Sequence, residues 1–397
     1  MTRATPLPRV DAPATSRARA SRRLVDPLVR ELAGWLEDSN RGDRSVVASW
    51  TPDDWSVFRR VVAMHGLAPH LARTLPSSAL AEHVPDVEFA WLTDQDGLTR
   101  RRLERMHGEL AAILARADTA GIEVMPLKGA LLTTIASAQG TARPMADLDL
   151  LVHPPDRAGL GAVLAGLGYR HAPEPNPRPT HDVFFDPGGG RVVSLEGEHP
   201  DNPRPVEVHV EVKRHLWGWV DDDDLTAALW AGARSGEVLG QRAAIPRAEA
   251  LFAHLAIHAS SDLLSGRGRL VQWLDLAAMA PLAGDLATMP HPRLAFPALR
   301  LAARALPDAM DALDLAWLTD AVPGRLARWA GSVPLDHRCG LTTGRPPTEP
   351  SSLAARWERW RPDRWRLAVA YGDVSLPVGL ARHGRTVIAR TRDRGVE

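Results

Sequence analysis

Residues 205–212 read Pro-Val-Glu-Val-His-Val-Glu-Val, an unbroken alternation of apolar and polar side chains. Successive side chains of an extended chain point to opposite faces. Val206, Val208, Val210 and Val212 therefore share one face, and Glu207, His209 and Glu211 the other. A helix, turning about 100° per residue, would scatter both sets around its axis. The segment has to be a β-strand, and the rest of the chain has to cover its valine face. The polar face is unusual, because a strand that merely meets water more often carries Thr, Lys or Arg there. A solvated face and a metal-binding carboxylate at Glu207 are the two readings it leaves open.

A second stretch, Met125–Val152 (MPLKGALLTTIASAQGTARPMADLDLLV), reads as four pieces in order. They are a short apolar strand ending in Lys128-Gly129, a helix, a polar loop, and a strand carrying Asp147 and Asp149. Two positions apart on a strand, the aspartates share a face, roughly 7 Å from each other. Such neighbours repel unless a cation lies between them, and Mg²⁺ suits an oxygen donor set. An isolated D-x-D is common on exposed strands, so the Lys-Gly turn is what sets this one apart. Of the 48 basic residues only Lys128 and Lys213 are lysines. Against an arginine background, a lysine is a compact, mobile ammonium in place of a planar fork. One stands in the turn, the other just beyond the alternating strand.

The 397 residues allow two or three cores, and 45% hydrophobic content is that of globular domains. A net charge of zero gives no global electrostatic case for nucleic acid or an acidic membrane as partner. The single Cys339 leaves no intrachain disulfide and fits a reducing compartment. No apolar run approaches the ~20 residues needed to span a bilayer. A cytoplasmic protein without a membrane partner is expected.

Residues 1–23, with six arginines and no apolar core, read as a disordered arm. Residues 24–117 read as helical throughout, beginning with Leu24, Leu28, Leu32, Trp35 and Leu36 on one face, and without chemistry of their own. His65 and His107, each before a glycine, read as helix-end residues. Residues 118–216 form the core. Besides the strands above, it holds a helix from Asp156 and a hairpin of Asp182–Phe185 with Arg191–Leu195 about the turn Pro187–Gly190. Residues 217–340 return to helices, with Asp221–Asp224 suiting a helix start and two helices over 300–340. Within them His254, His258 and Asp262, at four-residue steps, read as a polar stripe facing a cleft or as buried hydrogen-bonding groups. Residues 341–397 read as a loop and a basic tail rich in Trp and Arg with a frayed end, its Trp357, Trp360 and Trp365 either packed inward from an amphipathic helix or touching an anionic partner or membrane surface. The fold class is α+β, a small mixed sheet flanked by helical regions.

A helix N-terminus offers unpaired N–H groups and a positive dipole to an anion. Gly129 lets a phosphate approach closely, and Lys128 adds a mobile charge. Three carboxylates opposite would hold one or two Mg²⁺ ions on the same phosphates, an arrangement for phosphoryl or nucleotidyl transfer. The order of pieces resembles the nucleotidyltransferase fold of the DNA polymerase beta type. More closely, PLKGALL, RPMADLDLLV, LAGLGY, VEVHVEV, LFAHLAIH and WLDLA, preceded by FRRVVAMHGLAPHLARTL, resemble the family of uncharacterised nucleotidyltransferases. These are bacterial proteins often found beside peptide natural-product pathways. The resemblance covers roughly residues 55–280.

The resemblance implies that Asp147, Asp149 and Glu207 are the catalytic metal ligands. It implies that Lys128, Gly129 and Arg143 bind the nucleotide, Arg143 through the triphosphate; His209 on the alternating strand and Lys213 just beyond it are further nucleotide-binding candidates. Two positions depart from the better-known transferases. Lys128-Gly129-Ala130 replaces their Gly-Ser, removing a hydroxyl contact to phosphate, and Glu207 stands where Asp is frequent. The implied activity is Mg²⁺-dependent transfer of a nucleoside monophosphate from an NTP, such as ATP, to a hydroxyl, phosphate or peptide acceptor, as in peptide natural-product tailoring. The alternatives are a non-catalytic nucleotide- or peptide-binding module that keeps the fold, and a toxin-like transferase acting on tRNA or protein.

Overall fold

The structure, a computed structural model, describes residues 43–136, 142–172, 181–186, 197–212, 225–264, 268–333, 364–372 and 374–393. Leu32, Trp35 and residues 215–216 and 220–221 are also described. The arm at 1–23, Lys213, the turn and second strand of the expected hairpin, Trp357 and Trp360 lie outside these residues, as does the side chain of Trp365.

Five strands form one mixed sheet: β1 (Val124–Pro126), β2 (Leu148–Val152), β3 (Arg170–His171), β4 (His181–Phe185) and β5 (Val206–His209). Their order is β1-β2-β5-β4-β3. β2 and β5 run parallel, and the other pairs are antiparallel. With helices on either side in sequence, the fold is α+β. β5 is shorter than the alternating pattern: its described pairing with β4 ends at His209, opposite His181. Beyond that point Val212 donates its N–H to Thr226 Oγ1 instead. Val210 and Val212 stay buried all the same.

Eight helices surround the sheet and cleft. They are α1 (Pro52–His65), α2 (Ala68–Thr74), α3 (Asp86–Thr119), α4 (Lys128–Ala136), α5 (Arg157–Gly166), α6 (Ala248–Leu264), α7 (Val271–Met279) and α8 (Pro292–Ala305). α1 starts at a capping box of Thr51 and Asp54, with Pro52 at its first position, and stops at Gly66 in the left-handed conformation. Its apolar face packs Trp55 edge to face against Phe58 and Trp50, with Phe58 tilted against Trp35 and Trp50. His65 ends α1 as expected, buried, accepting the Leu270 N–H at its Nδ1. His107 does not end a helix. α3 runs 34 residues, about 50 Å at 1.5 Å per residue, and absorbs Gly108 in mid-course. A single glycine costs only about 1 kcal/mol against alanine, little beside the buried face of so long a helix. His107 Nε2 instead lies 2.8 Å from Thr133 Oγ1 of α4.

Two further expectations are corrected. A hairpin, Arg234–Val238 with Gln241–Ile245, interrupts the C-terminal helices and packs on β1 and α3. Its turn residues Leu239 and Gly240 both have positive φ, the requirement of a two-residue hairpin turn that glycine meets and leucine disguises. The segment from 292 to 332 holds four helices, α8, Pro307–Met310, Leu315–Asp320 and Gly324–Ser332. The tail carries an 18-residue helix, Leu376–Asp393, and the final residues, expected to be frayed, lie outside the described residues. Among the described residues no helix is long and apolar enough to cross a membrane.

Gly66 joins α1 to the cleft, with φ +68 and Val271 and Pro144 close behind the position of an added Cβ. Gly66→Ala therefore meets both a left-handed backbone and a contact 3.3 Å from Val271 Cβ. It is expected to lower stability by about 1–2 kcal/mol, measured by urea unfolding.

Candidate active site

The parallel register sets Asp149 beside Glu207 and Leu151 beside His209. Partners across a ladder point the same way. The carboxylates and the imidazole thus emerge on one face, while Leu148, Leu150, Val206 and Val208 fill the core behind with no exposure. Asp147, one step before β2, lines the same cleft as Asp149. Ligand atoms of Asp149, Glu207 and His209 all lie within 4.8 Å of one another. Two carboxylates and an imidazole at that spacing fit a divalent cation, and Asp147 stands by as a third carboxylate. His209, expected at the nucleotide, is thus brought to the carboxylates: its Nε2 is 2.9 Å from Asp149 Oδ1 and 3.5 Å from Glu207 Oε2.

Lys128 opens α4 with φ +46, a left-handed conformation that costs an L-residue about 1–2 kcal/mol. Its Nζ donates to Asp149 Oδ1 at 2.5 Å. Asp149 is 1% exposed. Burial by itself would raise its carboxyl, but Lys128 and His209 outweigh burial and hold it well below the usual range. Burial would raise Glu207 as well, and His209 with Lys128 brings it below its ordinary value. Burial would lower His209, yet hydrogen bonds to both carboxylates raise it. Asp147 ends differently. Burial and the Asp149 charge push it up to about 6, and Lys128 offsets only part of that.

Across the cleft stand His258 and Asp262 of α6, then Arg269, and Gln272 and Asp275 of α7. The stripe at four-residue steps divides: His258 and Asp262 face the cleft, and His254 is fully buried. Gln272 Nε2 donates to Asp262 Oδ2 at 2.8 Å, and His258 Nε2 lies 3.6 Å from the same oxygen. Arg143 reaches this wall. Its Nε and Nη2 donate to the two Asp275 oxygens at 2.7 and 2.8 Å, and its Nη1 to the Pro144 carbonyl. A Cβ on Gly129 would stand 2.9 Å from both Arg143 Nη1 and Met145 Sδ. The close approach that Gly129 permits is therefore made by these side chains. Arg269 was not singled out from the sequence. It lines the cleft exposed, makes no ion pair among the described residues, and lowers Asp147. The available signal was an arginine two residues before the helix that carries WLDLA.

A family model described as uncharacterised nucleotidyltransferase matches residues 51–287. The chain belongs to that family. No curated protein and no solved structure is detectably similar to it.

Asp147 is ionised at a cost in the folded protein. Its folded value of about 6 lies above the ordinary 3.8, so stability falls as pH rises through that window and is lowest above it. Asp147→Asn removes the burden. Without divalent ions, the variant is expected to melt above wild type at about pH 7.5, with the gap closing as pH falls from about 6 to about 4. Calorimetric scans across that range check it, and an equal gap at all pH values would refute it.

Proposed function

We propose that the protein is a Mg²⁺-dependent nucleotidyltransferase of the DNA polymerase beta type, moving a nucleoside monophosphate from an NTP to a hydroxyl, phosphate or peptide acceptor. The observation that carries this reading is the β2–β5 register, which sets Glu207 beside Asp149, itself in the lining of a cleft with Asp147 and Lys128. In this reading Asp147, Asp149 and Glu207, with His209 beside them, hold one or two Mg²⁺ ions. When bound, such an ion neutralises charge on the α-phosphate and the leaving pyrophosphate, and acidifies an attacking hydroxyl.

The remaining roles belong to the chain's own side chains. Lys128 and Arg269 attract the triphosphate, and the first N–H groups of α4 offer it their dipole. Arg143, bound to Asp275, holds the approach to β2 against α7, a role we assign in place of direct triphosphate contact. His258, Asp262 and Gln272 form the wall that receives the acceptor. The acceptor oxygen bonds to the α-phosphorus, the bond from that phosphorus to the bridging oxygen breaks, and pyrophosphate departs with the electron pair. Asp262, steadied by Gln272, is placed to take the acceptor's proton.

With α-labelled NTPs, Mg²⁺ and candidate acceptors, wild type is expected to transfer label and Asp147→Ala to lose it by a factor of 100 or more, on the order of one essential metal ligand. Undiminished labelling by the variant rules the site out. Arg269→Ala is expected to raise KM for NTP about tenfold, the scale of one charge-assisted contact, with kcat changed far less. An unchanged KM would remove Arg269 from the nucleotide site.

A further inference from the structure

Every N–H of the Arg102 guanidinium donates to a main-chain carbonyl. Nε bonds Met145 at 3.0 Å, Nη1 bonds His199 at 3.3 Å and Asn202 at 2.7 Å, and Nη2 bonds Ala146 at 3.1 Å and Pro203 at 2.7 Å. Five donors are the full complement of the group, and Arg102 is 3% exposed. The five acceptors fall in two segments. Met145 and Ala146 come immediately before Asp147. His199, Asn202 and Pro203 lead into β5 and Glu207. Only at Leu148, whose N–H donates to Pro205, do the two segments begin to bond each other as strands.

The same face of α3 reinforces the grip. Gln95, Arg102 and Glu109 are seven residues apart, two helical turns. Gln95 Oε1 accepts the Glu198 N–H at 2.8 Å, and Glu109 accepts Arg204 Nε at 2.9 Å. Glu198 also places a carboxylate 3.2 Å from Arg102 Nε, a countercharge for the buried guanidinium.

We infer that Arg102 is the positioning residue of the carboxylate cluster. It fixes the entry segments of β2 and β5 against each other, and with them the separation of Asp147 and Asp149 from Glu207. The inference rests on the reading that these carboxylates hold a divalent ion. A lysine cannot substitute, because its three donors radiate from one atom and cannot span two segments as the planar fork does.

Mn²⁺ affinity, by calorimetric titration, is compared for wild type, Arg102→Lys, Arg102→Ala and Arg59→Ala, with melting temperatures in parallel. Arg59 binds Glu88 near the start of α3 through Nε and Nη2, touches neither entry segment in those contacts, and so controls for general loosening. Arg102→Lys is expected to weaken Mn²⁺ binding by about 10- to 100-fold, the range for residues that orient metal ligands. Arg59→Ala, at an equal or lower melting temperature, is expected to keep the wild-type affinity. Millimolar guanidinium should restore part of the affinity to Arg102→Ala, and where that variant does not fold, Arg102→Lys carries the comparison. Wild-type affinity in the Arg102 variants overturns the inference. So does a loss that follows melting temperature equally in all variants. A wild type that binds no Mn²⁺ removes the metal-site reading and this inference with it.

Discussion

Repulsion among three carboxylates on one face of a buried sheet is the constraint around which the structure is arranged. The valine and leucine face of β2 and β5 drives both strands into the core, and alternation then delivers Asp149 and Glu207 to a place poor in water. Compensation is uneven. Asp149 receives both Lys128 and His209, and Glu207 shares His209. Asp147 makes no ion pair among the described residues, feels the charges of Lys128, Arg269 and Arg143 from further off, and stays raised. The cluster is balanced at one end and short of positive charge at the other, the electrostatic condition under which an incoming cation gains most.

Apart from LAGLGY, the phrases that carry the family resemblance, scattered over some two hundred positions, meet around this cluster. Arg143 of RPMADLD joins Asp275 of WLDLA through two hydrogen bonds. His65, from the helical stretch before the core, accepts the N–H of Leu270 just ahead of the same helix. Burial and the nearby Arg269 charge hold His65 down at about 4, so it stays neutral and keeps that acceptor at ordinary pH. Gly66 then leaves room for Val271 and Pro144. The order of the phrases thus records one contact network enclosing the cleft.

What could be read from the chain was whatever local periodicity or charge makes visible. Alternation revealed β5 and its polar face, and the Lys-Gly turn and D-x-D marked α4 and β2. Pairing was not visible. Nothing in the order of residues states that β2 and β5 run parallel with Asp149 opposite Glu207, and that register decides which side chains meet. His209 shows the difference: its face was legible, its partners were not. Arg269 and Arg102 were hidden by a composition with 46 arginines among 48 basic residues, which makes no single arginine conspicuous. The Arg234–Ile245 hairpin escaped because Leu239 occupies a left-handed turn position where glycine or asparagine would have announced it. α3 reads as a helical region without chemistry because the contacts Arg102 makes with the segments before β2 and β5 go to main-chain carbonyls, which carry no sequence signature.

That last feature bears on how the protein can be divided. A fragment beginning after α3 would retain every carboxylate and both strands, yet it would leave the carbonyls of Met145, Ala146, His199, Asn202 and Pro203 without their common donor. The helical part and the sheet are therefore not interchangeable modules joined by a linker. A piece that keeps these contacts reaches back at least to Gln95 of α3, and the family match likewise starts before the sheet, at residue 51.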